Sequence, residues 1–113
     1  MDFTKLDGLV PAVIQDAATK DVLMVGFMNE DAYARTMASG YATFFSRTRG
    51  TLWTKGETSG NRLRIESMSV DCDSDTLLLQ VVCEGDGVAC HTGERTCFTA
   101  VPAFRPAGAA ERP

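Results

Sequence analysis

Apolar residues fall in short runs divided by polar, glycine-containing stretches, and one segment carries helix signals. Leu9–Ile14 and Val22–Met28 are apolar and valine-rich, with the polar stretch QDAATKD between them. They predict two strands joined by a turn. Asn29 has the character of a helix N-cap, and Glu30 and Asp31 would sit in a first turn favoured by the helix dipole. That helix should run to about Ser39 and stop at Gly40. Tyr41–Ser46 and Thr51–Thr54 predict further short strands. KGETSGN, Lys55 to Asn61, lacks apolar periodicity and holds two glycines, so it predicts a loop. Leu63, Ile65, Met68 and Val70 predict a strand whose alternation slips near Ser67, as at a bulge. Thr76–Cys83 predicts a buried strand, Glu84–Gly87 a turn, and Cys97–Val101 a last strand. No internal repeat or second domain is visible. The domain should span 1–101. The tail, 102–113, holds four alanines, three prolines and one glycine, and is expected to be flexible and add little to the core.

At 113 residues the chain fits one domain, which buries roughly two-thirds of its unfolded surface. The apolar fraction of 44% and charged fraction of 23% are those of a globular protein. A net charge of -4 argues against nucleic acid as a partner. The longest apolar run, Val22–Met28, is far short of the ~20 residues a membrane span needs. The start of the chain, MDFTKLDGLVPAV, shows no basic segment followed by an apolar one, so the expected compartment is the cytoplasm. There thiols stay reduced. Cys72, Cys83, Cys90 and Cys97 are then metal ligands, reactive thiols or core residues rather than disulfides.

Four groups could carry chemistry. In DCDSD, Asp71, Asp73 and Asp75 would share one side of an extended chain. Their oxygens suit a hard ion such as magnesium, although, taken alone, a solvated acidic turn is the slightly simpler reading. Cys72, Cys90 and Cys97 would give soft thiolates that select zinc, with a fourth position left for water. The alternative is core packing, which suits Cys83 best because it ends an apolar strand. His91 is the single histidine and directly follows Cys90 in ACHTGERTCF. A titratable imidazole beside a metal site can serve as general acid or base. Finally, Arg47, Arg49, Lys55, Arg62 and Arg64 form a basic window in an acidic chain, with Glu57 its single acid. Arginine forks and loop amides suit phosphate oxygens. Trp53 in the same window could stack on a base or pack in the core.

Together VLMVGFMN, FFSRTRGTLWTKGETSGN, VDCDSDTLLLQV and ACHTGERTCF, in that order, resemble the phosphoribosyl-AMP cyclohydrolase family. The likeness runs from about Leu9 to Phe98. Val88 stands where the family often has proline. The resemblance implies an α+β fold of mostly antiparallel strands with one main helix, in an intertwined homodimer. It implies Zn2+ shared between subunits, with Cys72 from one and Cys90 and Cys97 from the other. It implies Mg2+ at Asp71, Asp73 and Asp75, and His91 as the active-site histidine. The family hydrolyses 1-(5-phosphoribosyl)-AMP between N1 and C6, the third step of histidine biosynthesis. It also occurs fused to a phosphoribosyl-ATP pyrophosphatase domain, which 113 residues are too few to hold. Arg47, Lys55 and Ser59 are the preferred phosphate contacts. Two rivals remain in view. A cytidine-type deaminase would carry H-x-E and P-C-x-x-C, which this chain lacks. A binding module with structural zinc would need a fourth protein ligand, such as Cys83 or His91.

Overall fold

The computed structural model describes residues 1–99, 103, 104, 106 and 107. Six strands and one helix follow in the order β1 (Val10–Asp16), β2 (Val22–Met28), α1 (Glu30–Ser39), β3 (Thr43–Ser46), β4 (Thr51–Thr54), β5 (Leu63–Val70) and β6 (Leu77–Cys83). The architecture is α+β. A four-stranded sheet has the order β2-β1-β6-β5, and β3 and β4 form a separate hairpin. Every pairing is antiparallel except β1 with β6. That parallel pair is possible because the long path through α1 and the hairpin returns the chain beside β1.

Side-chain alternation decides which face is core. Val10, Ala12 and Ile14 point inward from β1, and Leu77, Leu79 and Val81 do so from β6; all are fully buried. The slip expected near Ser67 is a register shift between Ile65 and Ser67 in the β5–β6 ladder. The hairpin docks on β2 through the buried Phe44, whose ring lies flat against Gly26. A Cβ at Gly26 would stand 2.5 Å from the ring, well inside contact, so only glycine fits there.

Capping sets the limits of α1 as the sequence predicts. Asn29 Oδ1 accepts from the Ala32 N–H at 2.8 Å, and Gly40 adopts φ 79° while donating to the Thr36 carbonyl. Thr36 is buried and fixes the helix to the hairpin. Its hydroxyl donates to the Ala32 carbonyl at 2.9 Å and accepts from the Thr43 N–H at 3.0 Å. The Thr43 and Thr54 hydroxyls then meet at 2.9 Å across β3 and β4. Tyr41 joins only an isolated bridge to Arg64, so β3 starts two residues later than expected.

The strand expected at Cys97–Val101 is absent over Cys97–Thr99. Cys97 donates to the Leu23 carbonyl, but the Phe98 N–H turns back to Thr96 Oγ1, so no ladder propagates along β2. Residues 100 and 101, and most of the tail expected to be flexible, lie outside the described residues. Among the described residues no helix is long and apolar enough to cross a membrane.

Thr36→Val keeps the shape of the side chain but strands the buried Thr43 N–H. We expect a loss of about 1–3 kcal/mol in urea unfolding, the usual cost of an orphaned buried donor.

Candidate active site

Three loops carry the residues that the sequence singles out. The first is the β5–β6 turn. Asp71, Asp73 and Asp75 converge so that one carboxylate oxygen from each lies within 4.8 Å of the others. The turn is not extended, contrary to the alternation argument. Ser74 has φ 63°, and Asp71 Oδ1 accepts from the N–H groups of Asp75 (3.0 Å) and Thr76 (3.1 Å), which folds the segment back on itself. Burial works to raise the Asp71 pKa, but the hydrogen bonds from Asp75, Asp73 and Thr76 outweigh it and hold the carboxyl below its ordinary value. Lys5 works to lower Asp73, yet the carboxylates of Asp71 and Asp75 prevail and push it up. Lys5 Nζ stands 3.2 Å from both Asp73 Oδ2 and Asp75 Oδ2. Three oxygens so gathered fit a hard cation, and a lysine ammonium already partly answers their charge.

The second is the loop from Ala89 to Phe98. Ala89 and Cys90 donate to the carbonyls of Arg95 and Glu94, and Gly93 donates back to the Cys90 carbonyl, making a small hairpin. It brings the Cys90 and Cys97 thiols near enough for each to act on the other's pKa. Thr92 Oγ1 lies 3.0 Å from Cys90 Sγ, and its hydroxyl and N–H hold the Cys90 pKa below the ordinary thiol value. Burial pushes Cys97 up, and the neighbouring Cys90 adds to this, while the positive charge of Lys55 opposes it. Two such thiols, one eased toward thiolate, are soft donors of the kind that could supply half of a tetrahedral zinc shell.

Cys72 is not with them. It lies in the acidic turn ahead of β6, whereas Cys97 bonds to β2, two strands away and near the level of Gln80. Strand rise and spacing put roughly 15 Å between them. Among the described residues the aspartate triad is the single group of three or more His, Cys, Asp or Glu close enough for one ion. One protomer therefore offers two thiols at one place and a third at another. Cys83 is half-buried against the core, with its thiol pushed up by burial and by Asp16, as a packing role requires.

The third is the basic window, which the structure divides. Arg62 lies over the Tyr41 ring at 5.5 Å, and Arg64 pairs with Glu66 and Glu84, so both serve the fold. Arg47 stacks on Phe27 at 4.0 Å. Arg49 lines a cleft with Ser46, Thr51 and Trp53. Trp53 is 38% exposed and leans on Phe44, so it is not a core residue. Lys55 and Ser59 lie in the KGETSGN loop, where Ser59 Oγ accepts from the Asn61 N–H. Gly56, at φ 77°, lies so close to the Asn61 backbone that a Cβ would collide with it. His91 is exposed at the tip of the cysteine loop.

The family model for phosphoribosyl-AMP cyclohydrolase matches residues 24–99, a stretch that contains all three loops. The chain belongs to the phosphoribosyl-AMP cyclohydrolase family. A phosphoribosyl-AMP cyclohydrolase of Paramagnetospirillum magneticum is 53% identical over 105 residues, covering 93% of this chain and 76% of its own length. One from Solibacter usitatus is 54% identical over 98 residues, covering 87% and 77%. The histidine biosynthesis bifunctional protein HisIE of Bacteroides thetaiotaomicron is 56% identical over 98 residues. The chain spans 47% of that bifunctional relative, a little under half.

Lys5, Thr92 and Arg95 shape these loops, and Lys5 and Arg95 carried no sequence signal of their own. Lys5 reaches Asp75 across 70 positions, and Arg95 reaches Asp21 across 74. Such pairs show only once the chain is folded. Thr92 was the readable one, two residues from Cys90.

Asp71 and Asp73 should behave differently without any metal. Asp71→Ala removes the acceptor that folds the turn and should lower the urea midpoint of the metal-free protein. Asp73→Ala removes a carboxylate that its neighbours repel, and should leave the midpoint unchanged or raise it.

Proposed function

We propose that this chain is the hydrolase that opens the adenine ring of 1-(5-phosphoribosyl)-AMP between N1 and C6, acting in histidine biosynthesis as a zinc-dependent cytoplasmic homodimer. The family match across residues 24–99, with the paired Cys90 and Cys97 thiols inside it, carries this reading.

Cys90 and Cys97 of one protomer, with Cys72 of the partner subunit, would hold the zinc. The separation of Cys72 within one chain supports a site shared between copies. So does an apolar row on the sheet's second face, where Val25, Val13 and Leu78 are register neighbours and Val25 is 46% exposed. Zinc, when bound, would supply the Lewis acidity that makes water a nucleophile near neutral pH. His91 would take a proton from that water as it adds to C6, and return one to N1 as the C6–N1 bond breaks. Its imidazole is exposed and follows Cys90 directly in the chain. Asp71, Asp73 and Asp75 would hold Mg2+ against substrate oxygens. Arg47, Lys55 and Ser59 would receive the phosphates. Lys55 has a further bearing on the chemistry, because its charge reaches Cys97.

Purified protein given phosphoribosyl-AMP should show the absorbance change of ring opening, and a zinc chelator should abolish it. Activity that persists after zinc is stripped removes the metal role. His91→Ala should keep its zinc and lose ~10²–10⁴ in turnover, the usual worth of general acid–base help. The shared site has its own test in co-expression of Cys72→Ser with Cys97→Ser. Each variant alone should be inactive. Random pairing places both intact halves together in one site of each mixed dimer, so about a quarter of wild-type turnover should return. No recovery in isolated mixed dimers would mean that each protomer works alone.

A further inference from the structure

We propose that Arg95 is a positioning residue that holds Cys90 against Cys97 before any metal arrives; the zinc consequence rests on the function proposed above. The two cysteines are anchored unequally. Cys97 has its own attachment to the sheet, since its N–H donates to the Leu23 carbonyl at 2.7 Å and Thr96 Oγ1 donates to the Val22 carbonyl at 2.9 Å. Cys90 has no such bond among the described residues. Its backbone N–H goes to Glu94 and its carbonyl receives Gly93, so, beyond the buried Ala89 that precedes it, its place follows wherever residues 93–95 are held.

Arg95 holds them. Its carbonyl accepts from the Ala89 N–H at 3.2 Å and so closes the small hairpin. Its guanidinium grips the β1–β2 turn at three points: Asp21 Oδ2 at 2.8 Å, Thr19 Oγ1 at 2.7 Å and Asp16 Oδ2 at 3.1 Å. The turn itself is stiff, because Asp16 Oδ1 accepts from the N–H groups of Ala18 and Thr19. A planar fork with several donors fixes direction as well as distance, which a lysine cannot do. Arg95 is 42% exposed, and ion pairs of that kind add little to global stability. Its effect should therefore appear in thiol geometry rather than in folding. Loss of groups that orient metal ligands typically costs ~10–100-fold in affinity.

The test compares wild type, Arg95→Ala, Arg95→Lys and Asp21→Ala with two probes. Metal-free protein is first titrated with phenylarsine oxide, which captures two thiols only when they lie together and releases water as both As–S bonds form. Zinc alone is then titrated against a competing chelator. Arg95→Ala should capture the arsenical more slowly and bind zinc ~10–100-fold more weakly, with its melting temperature nearly unchanged. Arg95→Lys and Asp21→Ala should fall between, since each leaves part of the fork. Arsenical capture and zinc affinity equal to wild type in Arg95→Ala would overturn the proposal. If wild type and Cys97→Ser bind zinc alike, the zinc reading fails, and arsenical capture still decides whether Arg95 sets the thiol pair.

Discussion

Strand β6 cannot bend, and the placement of every reactive group follows from that. It is paired along its length with β1 on one side and β5 on the other, and Leu77, Leu79 and Val81 are locked in the core. Moving the acidic turn toward the cysteine loop would break both ladders and expose those side chains, each worth about 1.5–3 kcal/mol of burial. Cys72 thus stays with the aspartates, and Cys90 and Cys97 stay together beyond β2. A site built from Cys72, Cys90 and Cys97 together would then need two copies of the chain. The sheet that separates the ligands makes assembly a condition of the proposed chemistry rather than an addition to it.

Local signals were readable because local bonds decide them. The limits of α1 follow from Asn29 and Gly40, whose side-chain acceptor and left-handed backbone act within four residues. The slip in β5 was visible as a break in alternation. The error over Cys97–Thr99, the described part of the strand expected at Cys97–Val101, had the opposite origin. Five residues of suitable type looked like a strand, but Thr96 offers Phe98 a nearer acceptor than β2 does. Propensity cannot reveal which acceptor wins. The extended-chain argument for Asp71–Asp75 failed similarly, and the acidic turn held beside it is what forms, since Asp71 caps the N–H groups of residues that a strand would have pointed elsewhere.

The candidate site was legible in its residue types and not in its supports. Cysteines, aspartates and a single histidine announce their chemistry wherever they stand. The arginines do not. Five basic residues in one window looked alike, yet Arg62 and Arg64 are taken up by Tyr41, Glu66 and Glu84. Arg95, outside that window, proves to be the one clamped on a distant turn. Which cation is structural depends on long-range partners, and one sequence read alone contains no register for them.

The charges left over also bear on how the proposed site could work. Three thiolates around one zinc ion leave a net negative charge, which would repel a substrate carrying two phosphates. Burial raises the pKa of both Cys97 and Cys83, and Lys55 lies where its charge works against that rise. The KGETSGN loop is held in place by the tight approach of Gly56 to Asn61, and Asn61 Oδ1 in turn accepts from the Asp86 N–H at 2.8 Å. The loop therefore presents Lys55 from a fixed base. A cation in that position would favour thiolate at Cys97 and phosphate at the same approach, so the loop proposed to receive the anion would also ease the deprotonation that a bound metal requires.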